Sequence, residues 1–106
     1  MRDKWLSGLR SWAKENKSIR ELWLFGSRAT GRSRPDSDVD LALVLMPAIG
    51  STDWALGNYF ALNQEWKREL EAIVARHVSL EILLPGTKED AAVRSSGILL
   101  WARDGN

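Results

Sequence analysis

Cysteine is missing altogether, so neither a disulfide framework nor a thiolate metal site can form, and a reducing cytoplasm is the compartment this suggests. No apolar run approaches the roughly 20 residues of a membrane span; the longest, from Val39 to Met46, has the length of a strand. The opening residues Met1-Arg2-Asp3-Lys4-Trp5 are charged but run into an amphipathic pattern, which does not fit a secretory leader. An excess of one charge is lacking too, with 15 Lys and Arg against 14 Asp and Glu. Gripping a nucleic-acid backbone takes a broad basic face, so direct nucleic-acid binding is not expected. Repeats and low-complexity segments are also absent.

What is present is the make-up of an ordinary globular protein, 44% hydrophobic and 27% charged. A chain of 106 residues suits a single domain over 1–106 with one core. Charge is balanced globally but segregated locally. Arg28, Arg32 and Arg34 crowd one stretch, and Asp36, Asp38 and Asp40 follow directly. A positive loop beside a negative strand start can hold both halves of a metal–triphosphate complex.

Trp5, Leu6, Leu9, Trp12 and Ala13 recur at three- and four-residue steps, which predicts a helix over 3–16 stopped by Asn16-Lys17-Ser18. Ile19 to Phe25 reads as a strand bounded by Gly26. A Gly- and Arg-rich connection follows, in which Ser27 can cap a brief helical turn. Val39 to Met46 is almost wholly apolar, the pattern of a central strand covered on both faces, and Pro47 ends it. Asp53 suits the N-cap of a helix from about Trp54 to Arg76, with Phe60, Leu62, Trp66, Leu70, Ile73 and Val74 as its apolar stripe and Asn63 as the exception within it. Val78 to Leu84 is a further strand, Lys88 to Ser95 a short helix, and Ile98 to Ala102 the last strand. This order predicts a mixed α/β (α+β) domain with a small sheet of three to four strands.

Three pieces carry candidate chemistry: Phe25-Gly26-Ser27, Asp38-Val39-Asp40-Leu41 and Leu80-Glu81-Ile82. Residues two apart on a strand share a face, so Asp38 and Asp40 project together. Two crowded carboxylates make sense if a divalent cation neutralises both, and hard oxygen donors favour Mg²⁺ or Mn²⁺ over Zn²⁺. Glu81, isolated in an apolar strand, is the natural third acid for a second ion if its strand lies beside that of the Asp pair. Gly26 permits a tight turn, Ser27 and Arg28 offer backbone N–H groups for phosphate, and Arg28 and Arg32 can clamp triphosphate oxygens. Read singly, each piece has a plainer meaning. The Asp pair also fits a solvated turn before a strand, Gly26-Ser27 a simple strand end, and the arginines a solvated loop. Glu81 fits a salt bridge to an Arg equally well. His77 reads as a helix-end residue, and the six Trp as packing rather than a platform for bases.

Order and spacing change that balance. The stretch Gly26-Ser27-Arg28-Ala29-Thr30-Gly31 … Ser37-Asp38-Val39-Asp40-Leu41-Ala42-Leu43-Val44 resembles the signature of the DNA polymerase β-like nucleotidyltransferase superfamily, in particular its short stand-alone branch, the minimal nucleotidyltransferases (MNT). The match is specific over 22–45; Leu80-Glu81-Ile82 and Gly97-Ile98-Leu99-Leu100-Trp101 resemble later landmarks. The resemblance implies a small mixed sheet packed on one side by helices. It implies that Gly26 and Ser27 bind the triphosphate, with Arg28 as a phosphate contact. Asp38 and Asp40 would hold Mg²⁺, and Glu81 would be the third acid, where many relatives carry Asp.

MNT proteins commonly pair with HEPN-domain proteins as toxin–antitoxin systems, so the resemblance also implies a hetero-oligomeric partner. The expected activity is transfer of AMP from ATP to a tyrosine of a HEPN toxin. Two rival readings are transfer to a small molecule such as an aminoglycoside, and neutralisation of a partner by occlusion without catalysis. The small-molecule relatives generally carry an additional helical domain for the acceptor. The occlusion reading draws on Trp12, Trp54 and Trp101 as an apolar interface, but gives no use for the crowded acids.

Overall fold

The structure is a computed structural model that describes residues 3–26, 38–45, 54–83 and 87–103, with the backbone alone at 3 and 54–60. The elements run α1 (Asp3–Glu15), β1 (Ile19–Phe25), β2 (Val39–Leu45), α2 (Trp54–Val74), β3 (Val78–Ile82), α3 (Lys88–Ser96) and β4 (Ile98–Ala102). The strands form one sheet in the order β3-β2-β1-β4. β1 runs antiparallel to both β2 and β4, whereas β2 and β3 are parallel and joined by α2. The parallel pair requires that crossover helix, because a tight hairpin can join only antiparallel neighbours. No described helix is long and apolar enough to cross a membrane.

The main core lies between the sheet and the first two helices. From α1 come Trp5, Leu9 and Ala13, from α2 Trp66, Leu70 and Val74, and from the strands Leu22, Leu24, Val39, Leu41, Leu43, Val78 and Leu100. Spacings of four along each helix and two along each strand place these residues on single faces, as the periodicity predicts. The helices meet closely at Gly8, where a Cβ would lie 2.7 Å from Ile73 Cγ2. Trp12 and Trp66 meet edge to face across the same joint, with ring centroids 6.1 Å apart.

Arg103 fastens the end of α1. Its Nη2 donates to the carbonyls of Ala13 (3.2 Å), Lys14 (3.4 Å) and Asn16 (3.1 Å), and its Nε donates to that of Ile19 at 3.0 Å. A helix leaves its last carbonyls unpaired and its C-terminus partly negative, so a guanidinium satisfies both needs at once.

A smaller core occupies the other face: Trp23, Ala42, Val44, Leu83 and Val93, with Phe25 against it. Val93 belongs to α3, so helices lie on both faces of the sheet and not on one side only, as the family resemblance implies. α3 is held there by charge as well as by Val93. Arg94 pairs with Asp90 (2.9 Å) and with Glu21 on β1 (3.2 Å), and its guanidinium lies 5.5 Å from the centre of the Trp23 ring. Thr87 caps the helix by accepting from the Asp90 amide at 3.2 Å.

Several boundaries differ from the sequence reading. α2 stops at Val74 rather than Arg76, because Ala75 turns into the left-handed region with φ 54°. β3 ends at Ile82 rather than Leu84, although the Leu83 amide still donates to Leu43 at 2.9 Å. Leu62 sits at the rim of the α2 stripe and is 38% exposed. The expected Ser27 helical turn, Met46, Pro47 and the Asp53 cap lie outside the described residues. His77 falls just past α2, as the sequence suggests, with Nδ1 3.2 Å from Glu71 Oε2.

Candidate active site

β1 delivers the chain to Gly26 at the point where β2 begins. Phe25 is the antiparallel partner of Asp40, which places the strand end and the acidic strand start side by side. Gly26 has φ +74°, a conformation that costs a residue with a Cβ. Space imposes a second requirement. A Cβ at Gly26 would overlap Asp40 Oδ2 and would lie 3.0 Å from its Cγ. Glycine here therefore serves both the turn and the close approach of backbone to a carboxylate.

Asp38 is exposed and Asp40 half-buried, at the strand start where carboxylates keep contact with solvent. β3 lies directly beside β2, with Asp40 opposite Ser79 and Ala42 opposite Glu81. Partners across a ladder share a face, so Glu81 and Asp40 project from the same side of the sheet. Glu81 stands one strand over and two residues along, a Cα separation of about 8 Å from ordinary strand spacings. Its side chain is exposed. Among the described residues, no three His, Cys, Asp or Glu side chains form a cluster that could hold a metal ion. The structure thus brings Gly26 against Asp40 and sets Glu81 on the Asp40 face, one pleat away. Ser27, Arg28 and Arg32 fall outside the described residues.

The face around Asp40 is flanked by Phe25 on one side and Ser79 on the other. The sequence reading names Phe25 within the Phe25-Gly26-Ser27 piece but passes over Ser79. Ser79 lies two residues before Glu81 and so shares its face, but only the β2–β3 register reveals that it stands opposite Asp40. The donor set suits a hard cation: carboxylate oxygens at a solvent-reaching strand end, without sulfur or imidazole. α3 adds Val93 to the cluster of Trp23, Ala42 and Val44 on this face, and at the strand start Asp38 is exposed and Asp40 half-buried.

Among solved structures, one of a toxin–antitoxin with AMP-PNP superposes with TM-score 0.64 at 20% identity, covering 93% of this chain and 74% of that one. A complex of tri-AMPylated Shewanella oneidensis HEPN toxin with MNT antitoxin gives TM-score 0.63 at 17% identity, covering 97% and 74%. A toxin–antitoxin MntA–HepT structure gives TM-score 0.61 at 17% identity, covering 96% and 74%. At these identities the likeness is one of fold. No curated protein matches the sequence. The profile of the family "Polymerase beta, Nucleotidyltransferase" matches residues 8–106, nearly the whole chain, and the chain belongs to that family.

Proposed function

We propose that this protein transfers AMP from ATP to a tyrosine hydroxyl of a HEPN toxin in the cytoplasm, and so acts as the antitoxin of a hetero-oligomeric pair. One observation carries the reading: the Gly26 turn sits against the Asp40 carboxylate, on the face that also bears Glu81. A strand-ending glycine forced against an acid is costly unless that closeness is used. Bringing a phosphate-gripping turn next to a metal-binding carboxylate uses it. The fold shared with an MNT antitoxin bound to an AMPylated HEPN toxin supports the same assignment.

In this reading Asp38 and Asp40 hold Mg²⁺, with Glu81 as the third acid on the same side; Mn²⁺ suits the same oxygens. When bound, the metal supplies neutralisation of the triphosphate charge and lowers the cost of ionising the acceptor hydroxyl. The backbone at Gly26 and Ser27 grips the triphosphate, and Arg28 and Arg32 orient its oxygens by paired hydrogen bonds. The acceptor oxygen then forms its bond to the α-phosphorus as the bond to pyrophosphate breaks in line, and the hydroxyl proton leaves to a base. Much of the rate advantage comes from fixing these groups before reaction.

The test is intact-mass analysis of the HEPN partner after incubation with ATP, Mg²⁺ and this protein. A gain of one or more adenylate units is expected, and it should vanish when Asp38 and Asp40 are both replaced by Asn. An unmodified partner, or modification that survives the double replacement, rejects the proposal.

A further inference from the structure

On the α1 and β4 side the molecule carries a second concavity. It is lined by Leu6, Ser7, Arg10, Ser11 and Lys14 of α1 and by Trp101 of β4, and has a volume of about 510 Å³. That volume lies within the roughly 300–1,000 Å³ usual for small-molecule sites. Two cations and two hydroxyls, each pair four residues apart on α1, share one helix face. Among the described residues, the lining contains no acidic side chain.

The positive groups are partly preorganised. Arg10 Nε donates to the Leu100 carbonyl at 2.9 Å, which anchors the guanidinium against β4 and leaves its terminal nitrogens for another acceptor. Among the described residues neither Arg10 nor Lys14 has a carboxylate partner. A third cation, Arg103, holds the Trp101 ring from 4.9 Å. The Trp101 indole, half-buried, thus has a fixed position at the pocket wall.

The concavity between α1 and α2 offers a contrast. It is lined by Trp12, Leu62 and Trp66 but also by Glu15, Glu65 and Glu69 against one Lys17, a balance that repels phosphate. Charge therefore separates the two sites.

We propose that the Arg10–Lys14–Trp101 pocket binds a nucleoside phosphate, with the phosphate between Arg10, Lys14 and the Ser7 and Ser11 hydroxyls and the base against the Trp101 ring. This site is separate from the candidate active site. Trp101 pairs with Leu22, three residues before the Phe25 that pairs with Asp40, and it packs with the helix-side core on the opposite face. The chemistry of the ligand is the same whether it arrives as a free nucleotide or as one unit of a single-stranded nucleic acid. Base stacking on an aromatic ring tolerates either.

The experiment is an NMR titration of the full chain, without Mg²⁺, by AMP, by inorganic phosphate and by a single-stranded oligonucleotide. The Trp101 indole N–H resonance is identified by its loss in Trp101→Phe. AMP is expected to shift that resonance and the amides of 7–14 in a saturable way, while inorganic phosphate shifts only the α1 amides. Lys14→Gln, whose side chain makes no hydrogen bond within the described residues, is expected to weaken AMP binding about fivefold to tenfold, and Arg10→Gln to weaken it by at least as much. Oligonucleotide binding at the same resonances about tenfold tighter than AMP identifies a nucleic-acid strand as the source; equal affinity identifies a free nucleotide. An unmoved Trp101 resonance up to roughly 10 mM of either ligand, or AMP affinity unchanged in Lys14→Gln, overturns the proposal.

Discussion

The two faces of the sheet are built differently. On one, α1 and α2 cover the strands with a continuous apolar layer in which Leu9, Leu22, Leu41, Leu43, Leu70 and Val74 are fully buried. On the other, α3 supplies Val93 as its buried residue, and its docking leans on the Arg94 contacts to Glu21 and Trp23. The first face carries stability. At the β2 start on the second face Asp38 is exposed and Asp40 half-buried, so a charged ligand can meet a carboxylate there with less cost than at a fully buried charge.

The sharpest way to break that division is to remove apolar volume from each side. Leu9→Ala, on the fully covered face, is expected to cost about 3–4 kcal/mol, whereas Val93→Ala on the other costs about 1–2 kcal/mol. Urea denaturation of both variants measures the difference, and equal losses would erase the contrast. Gly26→Ala should act mainly on activity. The added Cβ displaces the Asp40 carboxylate, and adenylate transfer is expected to fall by about 10²-fold, or about 2.7 kcal/mol, with a smaller loss of stability from the positive φ.

Arg103→Met keeps much of the apolar stem against Trp101 but uncaps α1. A loss of about 1.5–2 kcal/mol is expected in the same denaturation experiment, with transfer activity unchanged in the folded protein.

The smallest effect concerns pH. Glu71 is held below the ordinary value of 4.5, first by the Val78 amide that donates to it and then, against the opposing effect of burial, by His77. A carboxyl depressed on folding stabilises the native state above its unfolded pKa and loses that contribution as pH falls through the folded value. The melting temperature of the natural protein should therefore exceed that of Glu71→Gln above about pH 5, and the gap should narrow as pH drops below 4.5. A gap that does not change with pH would leave Glu71 only as an uncharged hydrogen-bond acceptor.

Local signals make much of this architecture legible in the sequence. β1 and β4 fall where apolar runs meet Gly26 and Gly97, and the buried positions of α1 follow its three- and four-residue spacing. The motif is legible for a similar reason, since Gly26, Asp38 and Asp40 lie close together along the chain. What escapes is non-local. Nothing in the order of residues states that β3 lies beside β2 with Glu81 opposite Ala42, that Arg103 reaches back to cap α1, or that α3 crosses to the other face. Leu62 shows how a stripe read from periodicity includes a rim position that the neighbouring helix does not cover. Ala75 ends α2 in a left-handed turn that its sequence, lacking the usual glycine, does not announce.

In the proposed function, transfer occurs on the sheet face bearing Asp40 and Glu81. The initial rate of adenylate transfer to the HEPN partner, compared between the natural protein and a folded Asp40→Asn variant, tests it most directly. A fall of at least about 10²-fold with an unchanged circular-dichroism spectrum is expected. An Asp40→Asn protein that transfers adenylate at the natural rate would contradict it.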